Sequence, residues 1–259
     1  MNLLESLKAR LSTAAVAIPL ALFLLYLGRP VVDALVILFA VLMMREWDSL
    51  VSGNRLGQLA SADAMSLTVI GSSLLLVSHA HFGYAATFVV LGILASLFVR
   101  KEKHSWHSLG LTYVTVPVFA TFYILDHLGI SGFLWLLVTV WAVDILAFAF
   151  GKVLGGPKIA PSISPNKTWA GLLGGIFGAT LTCLAFQYFV LYPMEISPLI
   201  LGPLIAVVAQ AGDFWESYVK RRFGVKDSSN ILPGHGGILD RMDGFMTAAT
   251  LVALLLWMS

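Results

Sequence analysis

Residues 131–150 read SGFLWLLVTVWAVDILAFAF, an apolar run interrupted by a single ionisable group, Asp144. At about 1.5 Å per helical residue such a run reaches roughly 30 Å, the thickness of a bilayer's hydrocarbon layer. It reads first of all as a membrane span. Working outward, comparable runs lie at 11–28, 30–44, 64–80, 82–99, 109–125, 169–191, 196–216 and 239–258. The composition agrees: 58% of the 259 residues are hydrophobic and only 12% are charged, about half the charge of a soluble domain. A formal charge of +2 gives no reason to expect nucleic acid, and membrane lipids are the natural surroundings. The expected fold class is all-α, a polytopic membrane bundle of about nine transmembrane helices.

The distribution of charge orients that bundle. Lysine and arginine beside a span stay on the cytoplasmic side. With residues 1–10 inside, nine spans leave all of the 16 Lys and Arg except Arg29 on the inner side. The expectation is therefore a cytoplasmic N-terminus and a C-terminus outside, in a bacterial inner membrane, with the chemistry facing the cytoplasm. The first apolar run follows Lys8 and Arg10 as a signal peptide would. It lacks a small-x-small cleavage site and reads as an uncleaved anchor. Cys183 is alone, which excludes an internal disulfide.

Outer connections are short, whereas the inner segments 151–168 and 217–238 are long and rich in Gly, Pro, Ser, Lys and Asp. Long polar loops on one face of a bundle are where a site can be assembled. The chain thus divides into N-terminal transmembrane helices, 1–130, and a C-terminal catalytic region, 131–259, with cytoplasmic loops 151–168 and 217–238. No strand pattern is apparent. His104 and His107 fall in a basic inner loop and read as solvated. Gly171, Gly174, Gly175 and Gly178 form overlapping G-x-x-x-G patterns, which signify close helix packing and would allow a homodimer.

The densest polar constellation runs from Gly212 to Gly244. Asp213, Glu216, Ser217 and Lys220 are spaced i, i+3, i+4, i+7 and share one helical face. Lys226, Asp227 and the run Pro233-Gly234-His235-Gly236-Gly237 follow in the loop, and the last helix opens with Asp240-Arg241-Met242-Asp243. Asp213, Asp240 and Asp243 can converge from two helices at one depth, near the membrane boundary, where a carboxylate needs a partner or a metal. Carboxylates beside lysines and a glycine-rich loop suit Mg²⁺ and phosphates, because Mg²⁺ takes a few oxygen ligands and completes its shell with water or phosphate.

These residues carry a resemblance. The stretch from Ser217-Tyr-Val-Lys220-Arg221 through Lys226-Asp227 and His235-Gly236-Gly237 to Asp240-Arg241-Met242-Asp243 resembles the signature of phosphatidate cytidylyltransferases (CDP-diacylglycerol synthases). Upstream, Trp141-Ala-Val-Asp144, Gly151-Lys152 and Ile163-Ser164-Pro165-Asn166-Lys167-Thr168 are similar to a second block of that family. The resemblance implies attack of the phosphatidate phosphate on the α-phosphorus of CTP, giving CDP-diacylglycerol and pyrophosphate, with Mg²⁺ required. It implies metal binding by Asp213, Asp240 and Asp243, and catalytic roles for Lys220, Lys226 and His235. For His235, loop anchor, phosphate donor and general base all stay open. Substrate contacts are implied for Asp144, Lys152, Ser164, Lys167, Ser217, Arg221, Asp227, Gly236, Gly237 and Arg241. Two positions depart from the pattern: Ala170 stands where Glu or Gln is common, and Phe148 where Tyr is common.

The alternatives are a CTP-dependent transferase or kinase acting on another lipid phosphate or a polyprenol, and a transporter. A transport path needs polar groups at the midplane and on both sides, whereas here they crowd one boundary. The Asp-Gly-x-x-Ala-Arg motif of CDP-alcohol phosphotransferases is absent, since Asp243-Gly244 continues as Phe-Met-Thr-Ala.

Overall fold

The computed structural model describes residues 23–53, 62–77, 82–99, 104–190, 192–229 and 236–259. Helix α1 spans Arg29–Ser52, with Pro30 in its first turn, where no N–H partner is missed. It ends at Gly53, whose φ of 73° forms a left-handed cap. Helices α2 (Ala62–Val77) and α3 (Phe82–Val99) follow. Helix α4, His104–Val153, is 50 residues long and breaks at Gly129, where φ is 67° and ψ is −169°. A two-stranded antiparallel sheet, β1 (Lys158–Ala160) and β2 (Ser164–Thr168), precedes α5 (Trp169–Phe189), α6 (Pro198–Arg222) and α7 (Leu239–Met258).

The expected nine transmembrane helices are not what the structure contains. Among the described residues four helices are long and apolar enough to cross a membrane: Ser105–Val153, Trp169–Phe189, Pro198–Arg222 and Leu239–Met258. They make this a polytopic membrane protein. The count falls for separate reasons. Runs 109–125 and 131–150 form one helical element with a break inside it. Helix α1 carries Arg29, Asp33, Arg45, Glu46 and Asp48, so its 24 residues are too polar. Helix α2 has only 16 residues, and among the described residues α3 counts only as a shorter apolar helix, Gly83–Leu94. Run 11–28 lies largely outside the described residues. The cytoplasmic N-terminus and outside C-terminus were inferred from nine crossings, and that inference goes with the count.

The hairpin is a second correction. Lys158 pairs with Thr168 and Ala160 with Ser164, so the inner segment 151–168 folds back on itself. The alternation rule missed strands this short and polar. Gly155 and Gly156, with φ of 63° and 93°, turn the chain out of α4. At the far end Thr168 caps α5, its hydroxyl accepting from the Gly171 N–H at 3.0 Å.

Packing runs in sequence around the bundle, α4 on α5, α5 on α6, α6 on α7 and α7 back on α4. The glycine stripe of α5 makes the first of these contacts possible. A Cβ on Gly174 would stand 2.6 Å from the Leu146 carbonyl, and one on Gly178 would stand 2.6 Å from that of Ala142. The stripe therefore serves a contact within the chain, on α4. Helix α1 is held at both ends. Arg29 binds Asp33 at 3.0 Å and Asp126 of α4 at 2.8 Å. Towards the other end Trp47 lies against Gly110 and donates to the Trp106 carbonyl at 2.8 Å. His107, expected in a solvated loop, is buried in α4, 3.1 Å from Asp48.

Candidate active site

Helices α6 and α7 meet closely where each carries a glycine. A Cβ on Gly212 would stand 2.4 Å from Thr247 Oγ1 and 2.7 Å from the Asp243 carbonyl. One on Gly244 would stand 3.1 Å from Asp213 Oδ1. Two missing side chains thus bring Asp213 and Asp243 into one interhelical space. Glu216 lies within electrostatic reach of Asp243, as does Lys167. Tyr113 of α4 lies within electrostatic reach of Asp213, Glu216 and Asp243. Glu216 is buried, and its Oε1, like the Tyr113 hydroxyl, has no hydrogen-bond partner among the described residues.

The loop between α6 and α7 rests on a different pair of carboxylates. Asp240 accepts from Lys220 Nζ at 2.7 Å through Oδ1. Through Oδ2 it accepts from the N–H groups of Gly237 at 2.8 Å and Ser228 at 3.0 Å. Lys220 also reaches Glu216 at 2.5 Å, so it joins the two acid groups. Beneath the loop lies Glu46 of α1, fully buried, with donors from both loop ends on its two oxygens.

The hairpin closes the site from the side. Lys167 of β2 forms an ion pair with Asp213 and lies 4.8 Å above the Phe214 ring. Between hairpin, α4, α5 and α6 is a cavity of about 450 Å³. Lys152, Lys158, Asn166 and Lys167 line it together with Asp144, Gln210 and Asp213. Asp144 also lines a second, apolar cavity of about 440 Å³, walled by α1, α4 and α7, with Arg241 among its lining residues.

Residues 8–259 match the model of a family described as the Cytidylyltransferase family. The chain belongs to that family. It is accordingly a nucleotidyltransferase. Among curated proteins, the phosphatidate cytidylyltransferase of Brucella abortus biovar 1 (strain 9-941) is 34% identical over 254 residues, covering 97% of this chain and 93% of that one. The phosphatidate cytidylyltransferase of Staphylococcus aureus (strain COL) is 40% identical over 177 residues, 66% of this chain and 67% of that one.

Within this cytidylyltransferase fold the expected site residues separate into groups. Asp213 and Asp243 share the interhelical space with Lys167, and Asp144 interacts electrostatically with Asp213, Lys167 and Arg241. Asp240 and Lys220 belong to the loop seat, together with Gly237 and with Gly236, whose φ is 80°. Lys152 and Lys167 line the polar cavity, as does the exposed Phe148. Ser164 pairs with Ala160 in the hairpin, Ser217 follows Glu216 on α6, and Arg221 donates to the Val225 carbonyl at 3.1 Å. Lys226 and Asp227 are exposed on the loop. His235 lies outside the described residues.

Three groups escaped the sequence. Glu46 falls beyond the apolar run 30–44, which the charges of Arg45-Glu46-Trp47-Asp48 end in the sequence; the helix continues through them to Ser52. Tyr113 carried no signal inside an apolar segment. Lys158 was visible in the inner segment, but only the hairpin turns it into the cavity wall.

Proposed function

We propose that this protein is a phosphatidate cytidylyltransferase, joining CTP and phosphatidate to give CDP-diacylglycerol and pyrophosphate. The observation that carries this reading is the pairing of two cavities across Asp144. The polar one, with three lysines, suits a triphosphate, and the apolar one suits the acyl chains of a lipid whose phosphate reaches Arg241. A substrate charged at one end and apolar at the other fits both at once.

The chemistry asks little covalent help from the protein. A phosphatidate oxygen attacks the α-phosphorus of CTP, the bond to the bridging oxygen of the β-phosphate breaks, and pyrophosphate leaves. Positioning and charge neutralisation dominate such transfers. Lys152, Lys158 and Lys167 would hold the triphosphate, and Arg221 and Lys226 would receive its outer end at the loop. Lys220 would keep Asp240 and Glu216 in place. The catalytic region is residues 131–259, supported from below by α1.

Mg²⁺ is the expected cofactor. Among the described residues no three His, Cys, Asp or Glu side chains form a metal-binding group. Mg²⁺ does not need three, since it keeps waters and substrate phosphates in its shell. Asp213 and Asp243 fit it, as neighbouring carboxylates with Glu216 Oε1 and the Tyr113 hydroxyl nearby, neither of which has a hydrogen bond among the described residues. When bound there it would neutralise charge on the phosphates.

The test is transfer itself. Protein in mixed micelles with phosphatidate and Mg²⁺ should move label from the CTP α-phosphate into the lipid phase, while γ-label leaves as pyrophosphate. Appearance of γ-label in lipid would identify a kinase instead. The site is proposed to face the cytoplasm, where its lysines and arginines are retained. A cysteine at the exposed Ser162 should then resist an impermeant reagent added to intact cells, and one at Ser197, at the opposite end of α6, should react.

A further inference from the structure

Glu46 stands near the inner end of α1, outside the catalytic region, and has 0% exposure. Its Oε1 accepts from Ser229 Oγ at 2.6 Å and from the Ile238 N–H at 2.9 Å. Its Oε2 accepts from Ser228 Oγ at 3.1 Å and from the Leu239 N–H at 2.7 Å. Each oxygen therefore takes one donor from the outgoing end of the loop and one from the returning end. Ile238 is the N-cap of α7 and makes no side-chain capping bond. The carboxylate of another helix takes that part, where the helix dipole favours an anion.

The surroundings are shaped around this contact. A Cβ on Gly237 would stand 2.6 Å from Glu46 Oε2 and 2.0 Å from Ser228 Oγ, so only glycine lets the loop pass. Ser228 Oγ also lies 3.1 Å from Asp240 Oδ2, which connects Glu46 to the Lys220–Asp240 pair. Trp47, the next residue, is locked against Gly110 and the Trp106 carbonyl, which fixes the rotation of α1 and with it the direction of Glu46. At the same corner Trp106 meets Phe223, the C-cap of α6, edge to face at 5.1 Å.

We propose that Glu46 is a positioning residue for the transfer reaction: it clamps both ends of the 225–238 loop and thereby sets the start of α7, whose first turn carries Asp240 and whose second carries Asp243. This role presupposes the cytidylyl transfer proposed above. Glu46 touches no reacting atom. It acts through Ser228, Ser229 and the α7 N-terminus, and it makes the N-terminal helices part of the site's geometry.

Glu46→Gln tests the clamp at constant size. The amide can accept on one oxygen only, and its NH₂ would face a backbone N–H that offers it no acceptor and a serine hydroxyl that must turn round to accept from it. The expected result is a fall in kcat of about 10- to 100-fold, with KM for phosphatidate within about threefold of the wild type. Melting in detergent should be unchanged, amides 237–239 should exchange hydrogen faster, and α5 should exchange as before. Glu46→Asp should restore part of the lost kcat. Wild-type kcat together with wild-type exchange in Glu46→Gln would overturn the role. So would faster exchange spread over α4 to α7, which would make Glu46 a support of the whole bundle. If Glu46→Gln fails to fold, Ser229→Ala removes one donor and should still speed exchange at 237–239; unchanged exchange there would equally overturn it. Because exchange needs no turnover, a chain inactive on CTP and phosphatidate would refute the proposed function and leave the clamp to be judged by this readout.

Discussion

Two sets of carboxylates sit at the same end of the bundle and live in opposite conditions. In the loop seat, Glu46 and Asp240 are surrounded by donors: backbone N–H groups, serine hydroxyls and Lys220. Between α6 and α7, Asp213 and Glu216 crowd Asp243's surroundings, with Lys167 opposite Asp213, and with Glu216 shared with the loop seat through Lys220 at 2.5 Å while its Oε1 is left without a hydrogen bond among the described residues. A carboxylate saturated by protein donors has its charge committed to holding structure. Acids crowded near a membrane boundary are costly unless a cation or ligand joins them. Under the proposed function, the loop seat serves positioning and the interhelical acids serve the metal and the phosphates.

The sharpest way to break this division is to neutralise the interhelical acids. Asp213→Asn and Asp243→Asn should each lower kcat/KM by about 10²–10³-fold, and the double variant should lose little more, as expected of groups acting as a unit. The Mg²⁺ concentration for half-maximal rate should rise in each single variant. The family resemblance implies metal binding by Asp243 and by both Asp213 and Asp240. Their separate partners, Lys167 and Lys220, predict instead that losses in Asp213→Asn and Asp240→Asn multiply. A double variant no worse than either single one would restore the shared metal and dissolve the division.

A smaller effect is expected where the two helices touch. Gly212→Ala places a methyl 2.4 Å from Thr247 Oγ1 and 2.7 Å from the Asp243 carbonyl, and backbone cannot yield as a side chain can. Overpacking of this kind costs about 1–3 kcal/mol. A lower melting temperature in detergent, with activity reduced about tenfold or less, should follow; unchanged melting would mean that α6 and α7 are not held at this distance. Least affected should be Asp33→Asn. Arg29 keeps Asp126 at 2.8 Å, and both acids lie at the end of α1 away from the site. Its rate should stay within about twofold of the wild type, and a larger loss would mean that the far end of α1 is coupled to the chemistry.

Much of the site was legible because it is local. The i, i+3, i+4, i+7 face of α6 and the i, i+3 acids of α7 follow from helical periodicity, which links residues that are neighbours in sequence. Asp144 was legible for a different reason, since one acid in an apolar run is conspicuous. The membrane character followed from composition, which needs no geometry. The number of crossings did not. Apolar runs carry no record of a break such as that at Gly129, nor of charges such as those of α1 that lie within a helix.

Only the tertiary structure decided how distant segments meet. Glu46 and Ser229 are separated by the whole of α2 to α6 in sequence and by 2.6 Å in space. Lys167 reaches Asp213 because β1 and β2 pair, and Asp213 neighbours Asp243 because Gly212 and Gly244 remove two side chains from one interface. The residues themselves, their charges and their local periodicity were written in the chain. Which carboxylates would be saturated with donors and which left crowded depended on contacts between helices, and a single sequence does not state those.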